Sequence, residues 1–266
     1  MLGAIIGDIA GSRFEWHNIK TKEFTLFTED CSVTDDSIMS LAVAQAIMSC
    51  DGNYHELGAQ TIRRMREIGR PYPGCGYGGR FMQWLYSESM QPYNSFGNGA
   101  AMRVSACGFA AKTLNEAKRM SRKVTEVTHD HPEGLKGAEA TAVAIFMARK
   151  GDSKEKIRAY LQTYYYPLDF TLDGIRDSYH FNETCQQTVP QALEAFLEAD
   201  GFEDAIRNAI SIGGDSDTLA AITGGVAEAF YGIPAELCAQ ALPYLDERLL
   251  PILEAFAAFT NAPYRS

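Results

Sequence analysis

The sequence predicts an all-α protein, a compact multi-helix bundle forming a single domain over residues 1–266. Three observations carry that expectation. Apolar residues recur at three- and four-residue spacing in segment after segment. Short stretches rich in Gly, Pro, Asn, Asp and Ser separate those segments. No run alternates apolar and polar residues convincingly, and no hairpin signal appears.

The first element covers residues 2–16. Leu2, Ile5, Ile6, Ile9 and Ala10 share one face, and Gly3, Gly7 and Gly11 lie on the next. Glycine weakens a helix interior. Three of them four apart therefore indicate a central helix that another helix approaches closely, as small residues permit in membrane bundles. Asp8 sits inside this apolar surround and needs a donor or a nearby cation. Residues 17–33 read as loop, with a short extended piece at 24–33. Residues 38–49 are apolar on most sides, hence central, and 55–69 are amphipathic with a basic polar face.

Residues 71–79, Pro-Tyr-Pro-Gly-Cys-Gly-Tyr-Gly-Gly, form a loop. A short helix follows at 81–89. The glycine loop at 94–99 opens onto a helix at 100–112. Asn115 caps a helix through 128. Residues 132–150 form an alanine-rich helix, and Ser153 begins another, ending near 165. Residues 166–186 read as irregular. Helices at 189–199, 202–212, 217–231, 234–241 and 245–258 complete the series.

The chain is 46% hydrophobic and 22% charged, an ordinary globular composition. A formal net charge of −10 argues against a general binder of nucleic acid or anionic membrane. It leaves room for a small phosphorylated ligand. The six cysteines are scattered without a C-x-x-C pair, so neither a zinc site nor a redox dithiol is signalled. The apolar start lacks a basic region and meets Asp8 early, so it reads as mature structure rather than a signal peptide. No run is long enough to span a membrane. The expectation is a cytoplasmic protein, a monomer, with no nucleic-acid or membrane partner.

Two acidic clusters stand out. Gly213-Gly214-Asp215-Ser216-Asp217-Thr218 precedes an apolar helix, and so does Thr34-Asp35-Asp36-Ser37. Either one alone is adequately explained by an acidic first turn complementing the helix dipole. If the two converge, four carboxylates repel one another unless cations sit between them. A two-metal site is the simplest way to keep them ionised, and oxygen donors of this kind suit Mg²⁺, Mn²⁺ or Ca²⁺. Singly, Glu15 reads as a helix-end charge, Asn98 as an N-cap, and His129 as a turn residue before Pro132.

Read together and in order, the motifs resemble the ADP-ribosylglycohydrolase family. They are Gly3-x-x-x-Gly7-Asp8-x-x-Gly11-x-x-x-Glu15, Thr34-Asp35-Asp36-Ser37, Ser95-Phe96-Gly97-Asn98-Gly99-Ala100-Ala101-Met102-Arg103, Thr128-His129, and the 213–218 cluster. The resemblance implies an orthogonal all-α bundle with two Mg²⁺ (or Mn²⁺) ions and an ADP-ribosylated protein, or ADP-ribose itself, as partner. It implies Thr34, Asp35, Asp36, Asp215, Asp217 and Thr218 as metal ligands. Glu15 matches the family's catalytic or gating glutamate, with Asp35 or Asp36 as the other claimants to the proton-transfer role. Ser95, Gly97, Asn98 and Gly99 match the loop holding the distal ribose and diphosphate. Phe96 matches an aromatic near adenosine, and His129 a ligand-contacting histidine. Asp8 and Arg103 match supporting positions. Arginine-directed bacterial members of the family tend to carry an acidic residue where this chain has Ser95, which tilts the expectation toward a broad or O-linked substrate. The competing readings are a non-catalytic ADP-ribose-binding protein and a different binuclear-metal nucleotide hydrolase.

Overall fold

The computed structural model describes residues 1–261, which are helical without any β-sheet. In chain order the helices are α1 (Leu2–Ser12), α2 (Asp35–Met48), α3 (Leu57–Gly69), α4 (Gly79–Tyr86), α5 (Gly99–Met102), α6 (Ser105–Ala110), α7 (Leu114–Thr125) and α8 (Pro132–Arg149). They continue with α9 (Lys154–Tyr164), α10 (Leu172–Ile175), α11 (Cys185–Leu197), α12 (Phe202–Ser211), α13 (Ser216–Tyr231), α14 (Ala235–Ala241) and α15 (Leu250–Phe259). Single 3₁₀ turns at Tyr54–Glu56 and Leu242–Tyr244 link neighbours. The predicted all-α class is what the chain adopts.

The centre of the bundle is the pairing of α1 with α13, around which α2, α8, α11 and α12 are arranged. The glycine stripe does what its spacing implies. A Cβ on Gly7 would lie 2.0 Å from the Ala220 carbonyl oxygen, and one on Gly3 2.4 Å from that of Gly224. The two backbones are in direct contact, and Ile5, Ile6 and Ile9 are completely buried alongside.

Several boundaries differ from the sequence reading. α1 stops at Ser12 rather than reaching 15–16, with the Ser12 hydroxyl bonding back to the Ile9 carbonyl at 2.9 Å. Residues 24–33 form no strand; the only bridge among the described residues is between Gly97 and Thr184. The segment 100–112 is two helices, not one. The backbone turns at Arg103 and Val104, whose angles fall near φ −90°, ψ 0°, and the buried Arg103 guanidinium bonds to the Gly99 carbonyl. Thr113 caps α7 in place of Asn115, its hydroxyl accepting from the Glu116 amide at 3.1 Å. The irregular stretch 166–186 contains the short α10 and ends where α11 begins, earlier than expected, because Cys185 N donates to the Phe96 carbonyl at 3.0 Å. The last helix begins only at Leu250, after Asp246 has accepted from the Arg248 and Leu249 amides.

The same substitution should act with opposite sign at two glycines. Gly7→Ala forces α1 away from α13 and should lower stability by about 1–3 kcal/mol or more. Gly58→Ala in α3 meets only ordinary contacts at 3.6 Å and beyond. It should be neutral or stabilising by up to about 1 kcal/mol. Urea unfolding of both variants beside the parent checks the pair.

Candidate active site

The site begins with Asp8, completely buried on α1. Its carboxylate accepts from the Thr34 hydroxyl (2.6 Å), the Thr34 amide (3.0 Å) and the Ser37 amide (3.1 Å), and also from the Ser37 hydroxyl. This fixes the first turn of α2 against α1. Thr34 is the N-cap, accepting from the Asp36 amide at 3.3 Å. Capping and the bond to Asp8 occupy the Thr34 side chain, which does not line the cleft described below. Asp35 and Asp36 project from that turn, with the Asp35 amide held by the Cys75 carbonyl at 2.9 Å.

The second cluster arrives on α13. Gly214 has φ +82°, a conformation glycine adopts without strain. A Cβ there would also meet the Tyr179 ring at 2.4 Å. Asn18 clamps this turn from both sides, accepting from Gly214 N at 2.7 Å and donating to Gly214 O at 2.8 Å. Lys20 donates to the Ile212 and Tyr179 carbonyls. The loop after α1 is thus fastened to the loop before α13, which delivers Glu15 to the acidic cluster.

The two predicted clusters do converge. Ligand oxygens of Glu15, Asp215 and Asp217 lie within 4.8 Å of one another. The Thr218 hydroxyl donates to Asp36 Oδ2 at 3.2 Å, joining α13 to α2. Glu15, Asp35, Asp36, Asp215, Asp217 and Thr218 all line one cleft of about 250 Å³. Every carboxyl is pushed toward its neutral form. Burial, then the charges of Asp8 and Asp215, raise Asp35 to about 8. Burial and Asp215 raise Glu15 to about 7, opposed by a hydrogen bond from the Trp16 side chain. Asp36 and Asp217 are held well above the ordinary carboxylate range by burial, then by neighbouring aspartates.

A divalent cation fits this donor set. Asp36 Oδ1 is buried with no hydrogen-bond partner, and an unsatisfied buried carboxylate oxygen is costly. Hard oxygen donors converging at such spacing suit Mg²⁺ or Mn²⁺.

The glycine loop forms the opposite wall, contributing Ser95, Gly97, Asn98 and Gly99. Asn98 stands at the N-cap position of α5 without capping it. Its side chain instead donates to Asp215 Oδ2 at 2.7 Å and to the Thr188 hydroxyl at 3.2 Å. His129 lies behind the loop. Burial, with the Arg103 and Arg80 guanidinium groups, pushes it well below the usual imidazole range. The neutral ring has Nδ1 3.1 Å from Arg103 Nη2, a donor, so Nε2 carries the proton and faces the Gly97–Gly99 turn. Phe96 does not join them. It is 41% exposed and packs 5.1 Å from the His131 ring, because its carbonyl faces Cys185 and its side chain points the other way.

Several cleft residues carried no sequence signal, the polar and aromatic ones Arg80, Tyr93, Phe181 and Glu183 among them. Arg80, at the start of α4, lies 4.9 Å over the Tyr93 ring, and both line the cleft. Phe181 and Glu183 come from the irregular stretch before α11. Asn98 N donates to the Glu183 carbonyl at 2.7 Å, and Gly97 pairs with Thr184, so this stretch clasps the glycine loop. A glycine-rich turn before Arg80 was the one available hint. Nothing periodic marks 181–183.

Fold and site together define an all-helical protein with an acidic cleft able to hold divalent cations beside a glycine loop. The chain belongs to the ADP-ribosylglycohydrolase family, whose model matches residues 1–262. It is 24% identical to ADP-ribosylhydrolase ARH3 of Gallus gallus, covering 87% of this chain and 84% of that protein. Against the Homo sapiens ARH3 the identity is 22%, covering 88% and 84%. A shorter match, 26% over 52% of this chain and 39% of the other, is to ADP-ribosylarginine hydrolase Tri1 of Pseudomonas putida. A solved structure titled "ADP-ribosylglycohydrolase-related protein complex" shares the fold with a TM-score of 0.72 at 21% identity, covering 97% and 95% of the two chains.

Chelated protein should gain thermal stability when Mg²⁺ or Mn²⁺ is restored, by about 2.7 kcal/mol at a hundredfold excess over Kd. Asp36→Asn should unfold at a higher temperature than the parent under chelator, since it relieves like-charge repulsion. It should gain less from added metal. Differential scanning fluorimetry with and without EDTA reads both.

Proposed function

We propose that the protein is a hydrolase that releases ADP-ribose from modified protein side chains by cleaving the bond at the anomeric carbon of the distal ribose. The observation that carries this reading is the convergence of Glu15, two Asp pairs and the 95–99 loop on one cleft within this family's fold. The coverage of ARH3 relatives along most of their length supports it.

In this reading the whole chain acts as one domain and as a monomer. Asp35, Asp36, Asp215, Asp217 and Thr218 would hold two Mg²⁺ or Mn²⁺ ions, with Thr34 fixing the α2 cap behind them rather than reaching the cleft. When bound there, such ions would supply positive charge to the cluster and Lewis acidity toward water. The protein's own residues do the rest. The Ser95–Gly99 loop, backed by the Nε2–H of His129, is the wall that would receive the ribose and diphosphate, with Phe96 outside the cleft on the side expected for adenosine. Asn98 keeps Asp215 aligned. Glu15 at the cleft mouth serves as general acid or base, with Asp35 or Asp36 as the second carboxylate in reach. Water adds its hydroxyl to the anomeric carbon through an oxocarbenium-like transition state, and its proton goes to the departing acceptor atom.

Release of free ADP-ribose from arginine-linked and serine-linked peptides, followed with Mg²⁺, Mn²⁺ and chelator, tests the reading. Glu15→Ala should lower turnover by about 10²- to 10⁴-fold and keep ADP-ribose binding by calorimetry. Asp217→Ala should lose turnover and the response to metal together. Liberation of inorganic phosphate would point to a nucleotide hydrolase instead. Tight ADP-ribose binding without release from any substrate would point to a binding protein.

A further inference from the structure

The cleft has a second wall that the metal ligands and the glycine loop do not account for. Trp16 and Phe181 stack with centroids 4.9 Å apart and planes 23° from parallel. Trp16 directly follows Glu15 in the chain and is 70% exposed, so open aromatic surface stands at the mouth of the cleft. Phe181 lines the same cleft, and so does the exposed Glu183 two residues on. The backbone of this stretch is held in place by Asn98 N to Glu183 O (2.7 Å) and Cys185 N to Phe96 O (3.0 Å). Glu183 is near enough to Glu15 for its charge to act on it. No salt bridge among the described residues involves Glu183.

We propose that Trp16, Phe181 and Glu183 form the acceptor-recognition wall and that Glu183 selects a planar cation, the guanidinium of an arginine-linked ADP-ribosyl group. The inference rests on the hydrolase reading above. A guanidinium is planar, stacks on aromatic faces and pairs with carboxylates through a fixed fork of donors. An aromatic pair beside two carboxylates offers all three contacts. A neutral hydroxyl acceptor would gain nothing from the Glu183 charge. Ser95, read alone, pointed to an O-linked acceptor. Here it lines the cleft with its hydroxyl accepting from Gly97 N at 3.2 Å, a bond within its own loop, and the acidic group comes from a different segment.

The test uses the full chain with Mn²⁺ on matched arginine-linked and serine-linked peptides, with Glu183→Gln beside the parent. The parent should prefer the arginine linkage. Glu183→Gln should lower kcat/KM on that linkage by about 10- to 100-fold, the loss of a charge-assisted pair. The fall should be at least tenfold larger than on the serine linkage, with ADP-ribose affinity by calorimetry within about twofold of the parent. An equal fall on both linkages, no fall, or a parent that prefers serine overturns the assignment while leaving the hydrolase reading intact. Absence of release from both linkages by the parent overturns the two together.

Discussion

Everything in the site depends on how closely α1 and α13 approach. Their backbones touch at Gly3, Gly7 and Gly11, leaving no room for a Cβ. That contact sets where three functional groups stand. Asp8 leaves α1 toward the α2 cap, Glu15 follows α1 by one loop, and Asp217 opens α13. A helix pair at the usual separation of 8–10 Å would carry a layer of side chains between these groups. The glycines weaken α1 as a helix, and its complete burial among Ile5, Ile6, Ile9 and the α13 backbone offsets that.

The electrostatics run against the packing. A well-packed core draws Asp8, Asp35, Asp36, Asp215 and Asp217 together away from water, where each opposes the ionisation of the others. Asp8 is compensated within the chain, by four hydrogen bonds from two residues. The others are compensated only in part, by Asn98 and Thr218. Asp36 Oδ1 has no partner. The nearby buried guanidinium of Arg103 bonds to Gly99 and His129 and reaches the cluster only through its charge, which favours ionised Asp35 against the larger effects of burial and its neighbours. The chain therefore builds the loop side to be neutral and self-satisfied, and leaves the α2–α13 side with a deficit of positive charge. Such an arrangement is strained alone and stabilised by cations.

What the sequence made legible were the features whose meaning is local. The glycine stripe, the capped acidic turns and the glycine loop each declare a backbone geometry through spacing alone. The structure brings those residues together much as their order suggested. What it hid were relations between distant segments. Asn98 looks like a cap because that is its most frequent local role, yet its amide is drawn across the cleft to Asp215. The break at Arg103–Val104 follows from a buried guanidinium returning to Gly99, which no periodicity encodes. Phe96, matched by motif to the ligand, turns outward because its carbonyl is taken by Cys185. Residues 181–183 have no pattern at all, since their conformation is set by the glycine loop they clasp.

That division has a functional consequence. The α1, α2 and α13 segments are bound by backbone contact and shared hydrogen bonds, so a change in any one displaces the others. The segment from Tyr179 to Glu183 is attached at both ends through backbone carbonyls, Tyr179 to Lys20 and Glu183 to Asn98, and through the side chains of Tyr179, whose hydroxyl donates to the Gln187 carbonyl, and Asn182, which accepts from Thr184. None of these attachments uses the side chain of Phe181 or Glu183. The half-buried Phe181 and the exposed Glu183 hold no hydrogen bond of the Asp36–Asp215–Thr218 network, so their side chains can change without breaking it. A fold built this way ties the carboxylate cluster into its helix contacts and leaves the Phe181–Glu183 wall outside that network. Under the proposed function, selectivity for the acceptor would belong to that wall and bond cleavage to the carboxylate side.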